Sequence, residues 1–350
     1  MNVAIAGAGI AGSYLARLLR EKGIMADLFD GMEHETSCRC RSCGWGAPAG
    51  IGNYLAMAGL DFDEYLMEPM FSMNFDGLVA RTPLCTINKP LLLRDLRSGL
   101  PLHRQQLGIT DAEAYDVVVD ATGINRAILP PCISDLILPT MQHRVRVESP
   151  GNEHLEAGVH GNRIPGLGYL WIFPLGHGQY HIGVGGIHLD QHESVMKRFY
   201  EENAHRFTFT PICSCRGVIR VASPYYSAPL YASRLRGDGT PQLIIGVGES
   251  IGTVSPFTGE GIIYSLECAR LLADSWPDEK LYASKVLSRF RWMKKERETL
   301  DYLISEGRAS GPRLRDRWRF FRNARRSGIG LPLMEAFRRI GSLSRWVENP

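Results

Sequence analysis

The stretch Val3-Ala-Ile-Ala-Gly-Ala-Gly-Ile-Ala-Gly12 decides the fold: a short apolar run enters a Gly-x-Gly-x-x-Gly turn and then a helix. Gly7 permits the tight turn, Gly9 lets the backbone approach a pyrophosphate closely, and Gly12 lets helix and strand pack. The helix N-terminus then offers free N–H groups to phosphate. The context outward from the turn agrees. Ser13 to Arg20 reads as a helix stopped at Gly23, and Met25 to Phe29 as a second apolar strand. Asp30 comes next, where a carboxylate meets a ribose hydroxyl. These features point to a dinucleotide-binding α/β fold.

At 350 residues the chain suffices for one large or two medium domains, and 44% hydrophobic with 22% charged residues is ordinary for a globular protein. A formal net charge of +3 gives no argument for nucleic acid. No apolar run is long enough to span a bilayer, and the N-terminus reads as a strand and not as a signal peptide, so a cytoplasmic location is expected. The eight cysteines are then expected to be thiols, metal ligands or redox groups and not disulfides. Cys38, Cys40 and Cys43 lie close together, and Cys213 and Cys215 form a second pair. Cys38, Cys40, Cys213 and Cys215 are thus candidate metal ligands, although Cys-x-Cys-x-x-Cys matches neither zinc-ribbon nor ferredoxin spacing.

Ala47 to Leu66 reads as mainly helical, Phe71 to Ile87 as strands and Lys89 to Leu100 as a helix. Ala114 to Asp120 reads as a buried parallel strand leading into Asp120-Ala-Thr-Gly123. From Arg144 to Ala222 the pattern turns β-rich, with a helical insert near Gln191 to Asn203, as expected for an antiparallel sheet that walls a pocket. A second glycine-rich loop, Gly246 to Gly261, comes after the strand from Leu243 and opens the helix from Ile262. The chain divides into a nucleotide-binding domain at 1–140 and 236–288, an inserted sheet at 141–235, and a basic helical region at 289–350. In that last region Leu314, Trp318 and Phe321 share a face, and Leu333, Phe337, Ile340 and Val347 repeat the pattern among arginines. Such a helix suits an anionic membrane surface, an acidic protein partner, or ordinary packing with a solvated charged side.

These landmarks resemble, over roughly the first 280 residues, the geranylgeranyl reductase family of flavoproteins built like p-hydroxybenzoate hydroxylase. The resemblance implies a Rossmann-like FAD-binding domain with an inserted antiparallel substrate sheet. It implies FAD contacts at Gly7, Gly9, Ala11, Gly12 and Asp30, and at a Cys-Gly pair here formed by Cys43-Gly44. It also implies them at Lys89, where arginine is usual, and at Asp120 and Gly123. The family's Gly-Asp-Ala-Ala-Gly segment appears as Gly248-Glu-Ser-Ile-Gly252, with Glu249 in place of aspartate, and downstream Pro256, Gly259, Gly261 and Ile262 agree with the family pattern.

Most specific is Pro165-Gly-Leu-Gly-Tyr-Leu-Trp-Ile-Phe-Pro174, which resembles the family's Pro-x-x-Tyr-x-Trp-x-Phe-Pro motif with one extra residue. Tyr169, Trp171 and Phe173 alternate, so on a strand they face one side as a substrate wall. The implied activity is reduction of isoprenoid carbon–carbon double bonds, with catalytic Cys43 nearest the reacting face, Cys43 or a bound water as the acid, and ferredoxin or NAD(P)H as electron donor. A flavin monooxygenase on the same scaffold and a flavin- or metal-binding electron-relay subunit are the competing readings.

Overall fold

The computed structural model describes residues 1–31, 43–151, 153–164, 166–305 and 313–330. Two sheets organise them. The first takes the order β13 (Tyr231–Leu235), β14 (Pro241–Gly246), β7 (Val117–Asp120), β1 (Val3–Ala6), β2 (Ala26–Phe29) and β6 (Leu102–His103). Apart from the antiparallel β13–β14 pair, its strands are parallel. The central strands are buried throughout, as a sheet covered on both faces requires. Ala6, Asp120 and Gly246 end level with one another, so the loops beyond them converge at one sheet end. That is where open parallel sheets bind ligands.

The second sheet runs β12 (Thr208–Arg220), β8 (Ile137–Glu148), β11 (Gln179–Gly186), β10 (Gly168–Pro174), β9 (Gly158–His160), β4 (Leu66–Phe75), β5 (Leu78–Ile87) and β3 (Gly46–Pro48). It is antiparallel except where β4 meets β9. The sheet reaches beyond 141–235. Residues 46–87 supply three of its strands because β4 pairs with β9, and β13 belongs to the first sheet instead.

The helices are α1 (Ile10–Glu21), α2 (Gly52–Met57), α3 (Lys89–Arg97), α4 (Ile109–Ala112), α5 (His192–Asn203), α6 (Ile262–Ala273), α7 (Glu279–Arg289), α8 (Arg291–Ser305) and α9 (Leu314–Arg326). The expected long helix over Ala47 to Leu66 is only α2, between β3 and a 3₁₀ turn, since Gly46, Ala47 and Pro48 are drawn into pairing with β5. In α9 the outcome differs from the sequence pattern. Its buried residues are Asp316, Asn323 and Ala324, whereas Leu314 is 72% exposed and Trp318 46%. The reason is local: Asp316 accepts from the Thr299 hydroxyl at 3.1 Å and Asn323 donates to Glu296 at 2.6 Å, so polar partners on α8 select the inward face. Leu333, Phe337, Ile340 and Val347 lie outside the described residues. Among the described residues no helix is long and apolar enough to cross a membrane.

Candidate functional site

One cavity of about 800 Å³ runs from the loop end of the first sheet to the face of the second, within the size range of ligand sites. At its first-sheet end the glycine turn is explained atom by atom. Gly7 sits at φ +102°, and a Cβ there would meet the Ala121 carbonyl oxygen at 2.3 Å. A Cβ on Gly12 would meet the Gly7 oxygen at 2.0 Å, whereas one on Gly9 would meet nothing within 4 Å. Gly7 and Gly12 therefore hold the turn together, and Gly9 presents bare backbone to the cavity. Ala11 and Asp30 also line it. Asp30 is paired with Arg97 at 3.4 Å, and Arg97 Nε donates to the Ala8 carbonyl at 2.9 Å. Nothing in the sequence pattern singles out Arg97; it reaches the turn from the end of α3, 67 residues from Asp30.

Asp120 has a different job from the cofactor contact implied by the resemblance. It is fully buried behind the wall, and its carboxylate accepts from Thr122 N, Thr122 Oγ1, Ile128 N and Leu129 N at 2.7–3.0 Å. With both oxygens saturated it shapes the loop that brings Ala121, Thr122 and Gly123 to the cavity. Gly248 and Gly252 also stand behind the wall. Both have φ +72°, and their added Cβ atoms would strike Ala11 Cβ at 2.7 Å and Ser227 Oγ at 2.5 Å. Glu249, Pro256, Gly259, Gly261 and Ile262 do line the cavity, and Glu249 Oε1 accepts from the Arg220 N–H at 2.9 Å.

Cys43, Gly44 and Lys89 lie together on the wall, with Lys89 Nζ 3.5 Å from Cys43 Sγ. Gly44 is glycine for a steric reason: a Cβ would meet the Phe173 ring at 2.6 Å. Its carbonyl accepts from His181 Nδ1 at 3.4 Å. Burial pushes that imidazole down to about 3, so the ring is neutral at ordinary pH. Trp45, which the sequence does not single out, comes next with φ +60° and a buried Nε1 without a hydrogen-bond partner.

Tyr169, Trp171 and Phe173 all line the cavity from β10, as their alternation predicts. Tyr169 and Trp171 meet edge to face with centroids 5.9 Å apart. The Tyr169 hydroxyl donates to the Thr258 carbonyl, and Trp171 Nε1 donates to Gln142 Oε1 at 3.2 Å. On β11, a Cβ at Gly183 would lie 2.2 Å from Trp171 Cζ2, so that glycine makes room for the indole. The far wall comes from α8, α9 and the turn after α9, with Leu300, Phe320, Asn323 and Ile329. Phe320 stacks on Phe257 at 3.9 Å.

The cysteine readings need correction. Cys213 is disulfide-bonded, and an oxidised sulfur has no thiolate to give a metal. Cys43, Cys85, Cys132, Cys215 and Cys268 are thiols, while Cys38 and Cys40 lie outside the described residues. Among the described residues no group of three or more potential ligands could hold a metal ion.

No protein-family model matches the chain. An uncharacterized protein of Methanocaldococcus jannaschii is 26% identical over 314 residues, covering 78% of this chain and 82% of that protein. Digeranylgeranylglycerophospholipid reductase 2 of Methanothermobacter thermautotrophicus is 32% identical over 151 residues, which is 40% of this chain and 35% of the reductase. Among solved structures, a geranylgeranyl bacteriochlorophyll reductase-like protein from Thermoplasma acidophilum superposes with a TM-score of 0.61 at 15% identity, covering 98% of this chain and 91% of that one. A probable FAD-dependent monooxygenase from Pseudomonas aeruginosa superposes with a TM-score of 0.57 at 19% identity, covering 91% and 98%. The chain has the fold these proteins share.

Proposed function

We propose that this chain is an FAD-dependent oxidoreductase that reduces carbon–carbon double bonds in an isoprenoid chain. The observation that carries the reading is a cavity with two unlike ends: a glycine-turn cradle at the first sheet and an aromatic, apolar wall at the second. The cradle fits a dinucleotide, since Gly9 leaves its backbone bare toward the cavity and Asp30 stands at the end of β2, where a ribose would lie. The partial match to a digeranylgeranylglycerophospholipid reductase supports the isoprenoid class.

FAD, once reduced, supplies a hydride; the rest is what the chain's own residues do. Gly7, Gly9 and the start of α1 hold the phosphates, and Asp30, oriented by Arg97, holds a ribose hydroxyl. Cys43 and Gly44 lie along the reacting face. Tyr169, Trp171 and Phe173 hold the polyprenyl chain and exclude water. An isolated alkene accepts hydride poorly, so close positioning and a proton donor both matter.

The test begins with protein purified anaerobically. A two-band spectrum bleached by dithionite, with FAD released on denaturation, is expected. The reduced protein should then saturate double bonds in a geranylgeranyl lipid in a single turnover, and Cys43→Ser should slow that step with FAD still bound. Folded protein that takes up no flavin refutes the reading. Oxygen-dependent hydroxylation of an added aromatic with no alkene reduction would replace it with the monooxygenase.

A further inference from the structure

Acidic and thiol groups on the cavity wall differ in how occupied they are. Asp30 is paired with Arg97, Glu249 accepts a backbone N–H from Arg220, Cys43 lies beside Lys89, and the Tyr169 hydroxyl is spent on Thr258. Glu260 is different. It lines the cavity, yet its Oε1 is buried with no hydrogen-bond partner. An unpaired buried carboxyl oxygen is costly unless it is protonated or meets a ligand.

The backbone that carries Glu260 is fixed. Its carbonyl accepts from Ser255 N at 2.9 Å, Gly259 N donates to Ser255 O at 2.9 Å, and its own N–H donates to Thr258 Oγ1 at 3.3 Å. The Tyr169 hydroxyl caps the same turn at Thr258, and a Cβ on Gly259 would lie 3.1 Å from Tyr169 Oη. The carboxyl therefore stands where the aromatic wall of the second sheet meets the loop that opens α6.

We propose that Glu260 is the proton donor of the reduction, delivering its carboxylic proton to the alkene carbon that does not receive the hydride. The inference rests on the reductase reading above. In the balanced step the alkene π bond breaks. One carbon gains a C–H bond from the hydride of reduced flavin and the other from the Glu260 O–H. FAD is left oxidised and Glu260 a carboxylate, which water reprotonates.

The surrounding charges permit this. Burial pushes the Glu260 carboxyl up to about 7, offset in part by the Tyr264 hydroxyl on α6. Tyr169 faces it from β10 and is neutral, its hydroxyl held far above the usual range by burial. Beyond Tyr264 stand Glu296 from α8 and Arg326 from α9, whose charges act on Tyr264 in opposite directions. A carboxyl poised near neutrality is both a competent acid and easily recharged.

The experiment compares wild type, Glu260→Gln and Glu260→Asp, each loaded with FAD and reduced by dithionite before mixing with a geranylgeranyl lipid. Glu260→Gln is expected to bind and accept electrons normally while alkene reduction falls about 10²–10⁴-fold. Glu260→Asp should retain part of the rate. Without substrate, the infrared band of a protonated carboxyl should titrate with a midpoint near the value of about 7 and be missing from Glu260→Gln. Undiminished reduction by Glu260→Gln, or a Glu260 carboxyl ionised throughout the neutral range, overturns the proton-donor assignment alone. Failure of wild type itself to reduce the alkene overturns the reductase reading, and this assignment with it.

Discussion

At the scale of single residues, the cavity is shaped as much by missing side chains as by those present. The sequence makes Tyr169, Trp171 and Phe173 legible, because alternation on a strand fixes one face. It does not reveal that Gly183 and Gly44 are the spaces into which Trp171 and Phe173 fit. Those contacts join separate segments, and no local pattern encodes them. Asp120 shows the same limit: its place at a strand end is legible, but its four hydrogen bonds from Thr122, Ile128 and Leu129 are not. A consequence concerns Gly183→Ala. The added methyl would overlap the indole at 2.2 Å, so the ring must tilt into the cavity. Overpacking of this kind costs roughly 1–3 kcal/mol. The apparent affinity for a polyprenyl substrate should fall about tenfold while FAD affinity holds, read by steady-state KM against flavin titration. Equal loss of both would mean that Trp171 supports the cradle and not the substrate wall.

At the scale of elements, the helices after the glycine loops are legible because each follows an apolar strand and a glycine turn. The polar inward face of α9 is not, since an amphipathic pattern assigns its apolar side to the core. The buried partner that decides the matter is Glu296 on α8, which accepts from Asn323 at 2.6 Å and Ser255 at 3.0 Å, with Arg326 at 3.4 Å. Burial outweighs these contacts and pushes its carboxyl up to about 7. The sign comes from proton linkage: between the unfolded value of about 4.3 and the folded one, the native state binds more protons than the unfolded state. The Glu296 contribution is therefore full at the acid end of that window and is lost as pH rises toward neutrality. Urea unfolding should show it as a fall on the order of 4 kcal/mol at most. Glu296→Gln should flatten that fall. A variant with the wild-type slope would show that Arg326 keeps Glu296 ionised across the window.

At the scale of the whole molecule, the two sheets have largely separate hydrophobic cores, one around β1, β7 and α6 and another around β8, β10 and β11. The cavity lies between them, so a ligand that fills it touches both sheets. Polar ties already cross this boundary: Tyr169 to Thr258 and Glu249 to Arg220. A dinucleotide should strengthen the junction by binding the native state alone, adding about 2.7 kcal/mol at a hundredfold excess over Kd. On the proposed reading the cradle at Gly7, Gly9 and Asp30 takes the adenosine and pyrophosphate portion, so FAD and FMN should separate sharply. With flavin-free protein, FAD should raise Tm by several degrees and make β10 and β11 exchange their amide protons together with β1 and β7. FMN at equal concentration should do neither. If FMN stabilises the protein as well as FAD, the isoalloxazine end carries the binding and the glycine turn is only the chain's way of packing α1 against β1. If FAD stabilises the first sheet and leaves exchange in the second unchanged, the dinucleotide stops short of the aromatic wall, and Tyr169, Trp171 and Phe173 belong to the substrate alone.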